Sequence, residues 1–510
     1  MFAIDQTFLN ELTKSISLFK PEFALVATFI VAIVADLIFR SSRNIAGIIA
    51  LVGFVVTGIF LADQATEGTF VFERMLAVDS FATFFKFIVL ISSFIVVIMS
   101  FFSDELYAEN RKLGEYFTII VGMTFGMFLL SGATNLIMIY LAIEMMSISS
   151  YILAGYTKEI RRAGEASLKY VIYGAVSSGV MIYGISILYG LTGTLNLAEI
   201  NVFLANNNPS IYALMVSVLM ILAGFGYKIS AVPFHFWTPD VYEGAPVTIT
   251  AYLSVASKAA GFAVLIRFMK AGFIDLSMSG QSVWSDLGGI DWMTVIAILA
   301  VLTMTLGNLV AVWQNNVKRM LAYSSIAHAG YMLMAVAAMT DTGILAVEVY
   351  FFVYLFMNLG AFFVVMLIAN KIGSEELEDY TGLGYRAPIL GVAMTIFMIS
   401  LTGLPPTAGF IGKLYVFTAV LEADMIWLAV VGVLNSVVSL FYYVKVLRNM
   451  WVRGVDVERP ALSYSSPAKI ILMLLVIPTL LFGIYFTPIL QWAERSVGIY
   501  LGNYASLFGV

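Results

Sequence analysis

Eight ionisable side chains sit inside long apolar stretches of this 510-residue sequence: Glu144, Lys169, Lys228, Lys258, Glu348 and Lys413, with its only two histidines, His235 and His328. A charge at the middle of a bilayer costs at least ~2.5–3.5 kcal/mol on insertion scales, so such residues face a wet cavity or one another and mark an ion path. Four of the eight are lysines. Desolvation weakens a lysine's hold on its proton towards the point where it loads and unloads near neutral pH. A carboxylate such as Glu144 beside the lysine strengthens that hold, and a second cation weakens it. These are the parts of a proton relay. The bland reading of any single member is a static ion pair between helices, a reading that loses force as members accumulate. Lys86 and Asp36, near span ends, read as snorkelling residues. The Gly-x-x-x-Gly spacings and the Phe and Met stripes read as helix packing and lipid-facing surface.

Only a membrane can host such a set, because 61% of the residues are hydrophobic and 12% charged, a composition no water-soluble globule carries. Runs long enough to cross a hydrocarbon core of about 30 Å fall at 22–39, 45–62, 81–102, 116–131, 135–156, 168–192, 209–237, 247–272, 292–313, 319–339, 343–370, 389–424, 426–448 and 468–487. The expected fold is therefore an all-α polytopic membrane protein of about fourteen transmembrane helices, one membrane domain over 1–510. Runs 209–237 and 389–424 are too long for single straight helices and contain Gly or Pro near their middles, so both are expected to be broken there. The linkers 63–80, 193–208, 273–291 and 449–466 are too short to fold alone. The first run lacks a cleavage-site pattern and reads as a retained span.

Arg40, Arg43, Arg111, Lys112, Lys158, Arg161, Arg162, Lys318, Arg319, Lys371, Arg386, Arg448, Arg453, Arg459 and Lys469 collect at alternate boundaries, against Lys14, Lys20, Arg74, Lys270 and Arg495 at the others. The positive-inside rule then puts both termini on the non-cytoplasmic side and makes the span number even. Cysteine is absent, so the chain offers no disulfide and no thiolate for an iron–sulfur cluster. A net charge of −5 without basic, aromatic-interleaved blocks gives no case for nucleic acid. The expected partners are lipid and other membrane subunits, and neither a cofactor nor a metal is expected in this chain.

An internal repeat adds to the relay reading. Gly224-Phe-Gly-Tyr-Lys228 in the first broken run matches Gly409-Phe-Ile-Gly-Lys413 in the second; Glu144 lies 84 residues before the first lysine and His328 lies 85 before the second. Lys258 follows the first after 30 residues and Lys445 the second after 32. Two five-span units result, 116–272 and 292–448, and an odd span number inverts the second relative to the first. Inverted repeats with broken helices near the midplane are a transporter signature.

At these residues the chain resembles the antiporter-like subunits of respiratory complex I, the proton-translocating NADH:quinone oxidoreductase, and among them the subunit N (subunit 2) branch. The strings are VPFHFWTPDVYEGAP at 232–246, YSSIAHAGY at 323–331, GLPPTAGFIGK at 403–413, GEASLKY at 164–170 and Glu144 in its span, and the likeness covers nearly the whole chain. The resemblance implies a Glu144–Lys228 pair beside Lys169, a connecting Lys258 and a terminal Lys413 along a hydrated midplane axis, with His235 and His328 in axis-lining segments. Glu348 joins the set only on its place inside an apolar run. WTPDVYEGAP where sodium/proton antiporters and larger complex I subunits read WLPxAH favours subunit N, as does the chain's end soon after the fourteenth span. His328 in place of a second Glu is a departure that should make the two halves unequal.

The resemblance also implies neighbouring antiporter-like subunits and an assembly elsewhere holding NADH or ferredoxin, FMN, iron–sulfur clusters and quinone, in a bacterial inner (plasma) membrane or an organelle membrane descended from one; 510 residues, long for a compact mitochondrial version, favours the bacterial membrane. The chain would pump without a redox site of its own. Alternatives from the same residues are a subunit of an Mrp-type cation/proton antiporter, of a membrane hydrogenase or of a photosynthetic complex I-like enzyme, and a purely structural scaffold.

Overall fold

The computed structural model describes residues 6–39, 42–64, 68–108, 111–275, 285–453 and 460–507. Arg40 and Arg459, two of the basic residues used for orientation, lie outside them. An amphipathic helix α1 (Gln6–Leu18) leads into α2 (Lys20–Ile38) and α3 (Ile45–Ala62). A small antiparallel hairpin, β1 (Thr69–Val71) and β2 (Leu76–Val78) with Thr69 opposite Val78, precedes α4 (Ser80–Ser100). Asp79 starts α4 by accepting a 2.7 Å hydrogen bond from the Ala82 amide, the N-cap role its side chain favours. A short α5 (Asp104–Tyr107) links to α6 (Gly114–Gly132), α7 (Leu136–Ala154) and α8 (Arg161–Thr192). Gly193, at φ +73°, ends α8 in the left-handed region that glycine enters without steric cost.

The linker 193–208 carries a short helix, α9 (Leu197–Asn206). Then come α10 (Ile211–Ile229), α11 (Trp237–Gly244) and α12 (Val247–Tyr252). A π turn at Leu253–Ser257 joins α12 to α13 (Lys258–Phe273). The rest of the chain is α14 (Trp292–Trp313), α15 (Val317–Ala337), α16 (Asp341–Ile372), α17 (Leu383–Arg386), α18 (Pro388–Thr402), α19 (Ala408–Glu422), α20 (Ile426–Trp451), α21 (Ser466–Ile484) and α22 (Thr487–Leu507). The terminal α22 was not among the expected runs because it is amphipathic; Trp492 on it packs against Phe84, Phe87 and Phe352.

Thirteen helical segments among the described residues are long and apolar enough to cross a bilayer, and they correspond to thirteen of the expected runs. The remaining run, 389–424, is two helices of fifteen residues each, α18 and α19, separated by Gly403-Leu-Pro-Pro-Thr407. Apart from its one short hairpin the chain's regular structure among the described residues is helical, and the chain is a multi-pass membrane protein of the all-α class. Every residue from Val247 to Phe273 is buried, and α15 and α16 are nearly so, whereas in α2, α8 and α21 about a third of the residues or fewer are buried. A helix apolar all round can serve in either place, so hydropathy does not separate the inner rods from the lipid-facing ones.

The first interruption sits at 230–236, beyond Lys228 and near the end of its run, and α11 carries the chain on to Gly244. Lys228 thus precedes its break while Lys413 follows its own at 403–407. The two matching five-residue strings therefore stand on opposite sides of the interruptions, and the string match is not a match of position in the fold.

Candidate functional site

Lys228 lies in the last turn of α10, which Ser230 terminates at φ +63°. Its Nζ donates to Ser147 Oγ at 2.8 Å, and Ser147 stands one turn beyond Glu144 on α7. Glu144 is half-buried and accepts from Ser178 on α8. Among the described residues Glu144 and Lys228 share this corner of α7 without a direct ion pair. Gly261 on α13 lets α10 come close: a Cβ there would stand 2.8 Å from Ile229 Cγ2 and 3.7 Å from Lys228 Cβ. Lys258 is one turn from Gly261, directly after the π turn, a feature that redirects side chains at functional sites. Its ammonium donates to the Ser325 carbonyl of α15 at 2.8 Å.

From Ser325 onwards α15 is the spine. His328 Nδ1 meets the Tyr350 hydroxyl at 2.7 Å, and Nε2 meets that of Tyr443 at 3.0 Å, which itself contacts Ser324 Oγ at 2.5 Å. A neutral imidazole carries one donor and one acceptor nitrogen, so one tyrosine donates to the ring and the other accepts from it. Exchanging the tautomer reverses both bonds. Tyr331, one turn further and 6.1 Å from the His328 ring, places its face 4.6 Å from Lys413 Nζ.

Lys413 donates to the Thr402 carbonyl at 2.7 Å and to Ser436 Oγ at 2.9 Å. Thr402 is the last residue of α18, so the ammonium occupies the negative end of that half-helix and satisfies a carbonyl the break leaves open. Gly403 makes room, since its φ is +87° and a Cβ would meet Lys413 Cδ at 2.6 Å.

Three of the expected residues have partners of their own. Lys169 is 39% exposed and binds Asp240 at 2.6 Å and Glu165 at 2.8 Å; Arg319 bridges Asp240 and Glu243 at 2.8 Å each. These charges line an open cavity of about 230 Å³. Glu348 is fully buried, with one oxygen accepting from Ser496 of α22 at 2.7 Å and the other without a protein partner. It stands two residues from Tyr350 on α16, about 200° round the helix, so it points away from His328. His235 is buried in the first interruption beside Phe236, its Nδ1 without a protein partner. Lys445, paired with Lys258 by sequence offset, instead donates to Gln314 O at 2.9 Å at the end of α14.

Lys86 does not snorkel: it is buried at 2.6 Å from Glu22 of α2. A second buried pair joins Arg267 to Asp79 through two bonds of 2.8 and 2.9 Å. Neither Glu22, Asp79, Arg267 nor the tyrosines around His328 stood out in the sequence. The only signals were an acid in the first turn of an apolar run and an Asp before another. Among the described residues no cluster of His, Cys, Asp or Glu is disposed to hold a metal ion.

The family model described as "NADH:quinone oxidoreductase/Mrp antiporter, TM" matches residues 133–439. The chain is 49% identical over 501 residues to NADH-quinone oxidoreductase subunit N 2 of Chloroherpeton thalassium, covering 97% of each. A chain of respiratory complex I from Thermus thermophilus superposes with TM-score 0.76 at 27% identity, over 93% of this chain and 100% of that one. A chain of the Mrp complex from Dietzia has the same fold, with TM-score 0.78 at 18% identity over 96% and 99% of the two chains.

Proposed function

Because the chain belongs to the NADH:quinone oxidoreductase/Mrp antiporter membrane family, and within it to the antiporter-like subunits N of complex I, we propose that it carries protons along Lys228, Lys258, His328 and Lys413, driven by quinone reduction elsewhere in the assembly. The observation that carries this reading is the succession of buried polar groups on α15, in which Lys258 holds Ser325, His328 joins two tyrosines, and Tyr331 faces Lys413.

Glu144 is the control element. Closing a Glu–Lys gap from about 10 Å to about 4 Å strengthens the lysine's hold on its proton by roughly 2.5 kcal/mol at an effective dielectric of 20, close to two pH units. Movement of the Glu144 helix, driven by redox events in neighbouring subunits, loads Lys228; the reverse movement releases the proton towards Lys258. His328 and its tyrosines pass it on by tautomer exchange, and Lys413, held by the α18 carbonyl terminus, is the last station. Lys169 with Asp240 and Arg319 belongs to the surface of this path, and Glu348 and His235 flank it. The units 116–272 and 292–448 form the two inverted halves. NADH, flavin, iron–sulfur clusters and quinone belong to the rest of the assembly, which includes neighbouring antiporter-like subunits in a bacterial inner membrane, with both termini of this chain on the non-cytoplasmic side.

Lys228→Ala in the assembled complex tests this. Proton pumping and coupled electron transfer are expected to fall together while the complex still assembles, and a variant that pumps normally removes Lys228 from the mechanism. Sodium-dependent exchange in vesicles without electron transfer would instead mark an autonomous cation/proton antiporter.

A further inference from the structure

A cavity of about 490 Å³ opens on the boundary that carries Arg161, Arg162 and Lys371, between α5, the start of α12 and the end of α16. Four carboxylates line it, Asp104, Glu105, Glu375 and Glu376, against Arg162. Lys318 stands behind them, 2.9 Å from Glu375. Ser103 also lines the cavity; it is 1% exposed and its hydroxyl has no protein partner. A buried hydroxyl in a polar space this large is satisfied by solvent, so water reaches the depth of Glu105.

The Glu105 carboxylate accepts from the Val247 amide at the first residue of α12. Burial raises this carboxyl above the ordinary range, Glu375 adds to the rise, and Lys318, the Val247 bond and Arg111 oppose it without cancelling it. Arg111 donates to the Glu105 backbone carbonyl at 2.9 Å, Asp104 is its chain neighbour, and Tyr116 faces it from α6.

Behind Glu105, α12 carries buried hydroxyls in tiers. Thr248 Oγ1 meets Tyr116 OH at 2.8 Å, which meets Ser100 at 3.0 Å. One turn on, Tyr252 OH meets Ser93 at 2.8 Å and Thr124 at 2.7 Å. Ser254 accepts from Asn358 at 2.6 Å, and the π turn then delivers Lys258. Val247 to Lys258 spans about 16 Å; Thr248 and Tyr252, one turn apart, share one face of α12, and Ser254 and Lys258, one turn apart, share another. Hydroxyls donate and accept.

We propose that Glu105 is the proton-collecting carboxyl of this subunit, taking protons from the acid-lined cavity and passing them along the α12 hydroxyls to Lys258. This rests on the relay reading above, so the test carries Lys258→Met in parallel. Glu105→Gln keeps an oxygen for the Val247 amide and cannot carry a proton. In the assembled complex in vesicles, its redox-driven pumping should fall about a hundredfold, the mild end of losing an acid–base group, with thermal stability unchanged. Wild-type pumping should decline as pH on the cavity side rises through the Glu105 range, and the variant should lose that limb; Glu105→Asp should restore part of it. Wild-type pumping and pH profile in Glu105→Gln, with Lys258→Met inactive, overturn this inference alone. An active Lys258→Met overturns the relay reading as well. If Glu105→Gln does not assemble, Tyr116→Phe decides: slowed pumping supports the path, and wild-type pumping refutes it.

Discussion

Replacing Lys258 by Met separates a relay residue from a strut. The ammonium is 1% exposed and its one described hydrogen bond goes to the Ser325 carbonyl. Losing a bond to a charged group costs about 1.5–3 kcal/mol. Removing an ammonium from a dry interior returns at least ~2.5–3.5 kcal/mol, and Met fills a similar volume. Ser325 lies mid-way along α15, so its carbonyl keeps its own helical bond and is not orphaned. The terms nearly cancel, and the variant complex should assemble with a melting temperature within a few degrees of wild type. Transport should behave in the opposite way, because a step that loses its acid–base group slows by about 10²–10⁴. Lys258→Arg should be equally inactive, since a guanidinium does not release its proton. The assay is NADH-driven acidification of vesicles containing the purified complex, with electron transfer followed in parallel. A Met variant that pumps at more than a tenth of the wild-type rate refutes the reasoning. So does one whose pumping loss simply tracks a loss of several kcal/mol in stability.

Two further substitutions probe the frame. Asp79→Asn removes the carboxylate charge that faces the wholly buried Arg267, which holds Asp79 through two bonds and donates to the Ser131 carbonyl at 3.3 Å; the cost should be about 3–5 kcal/mol, read as a lowered thermal aggregation midpoint, and Asp79→Asn with Arg267→Met should recover most of it. Gly403→Ala forces a Cβ into the left-handed region at about 1–2 kcal/mol and against Lys413 Cδ; pumping should fall further than stability, and an Ala variant with wild-type pumping would show that the seat of Lys413 on α18 is unimportant.

Composition and run length were enough to make this chain a multi-pass helical membrane protein, because lipid imposes one requirement on every segment and hydropathy reports it. Lys228, Lys258 and Lys413 were legible for the same reason: a charge in an apolar run is costly wherever its helix lies. Which helix faces which was not legible. Lys86 and Lys169 look alike in sequence, yet one is buried against Glu22 and the other is half-open among Glu165, Asp240 and the cavity charges. The tyrosines that bracket His328 come from α16 and α20, 22 and 115 residues away, and nothing local marks a tyrosine whose hydroxyl faces inward. The repeat string equated Lys228 with Lys413, although the breaks fall on opposite sides of them, since Gly and Pro permit an interruption but tertiary contacts decide where the chain takes it. Residue chemistry is written in the sequence; the partner each buried charge finds is set by helix packing, and in a bilayer that partner determines whether the charge is a strut or a station.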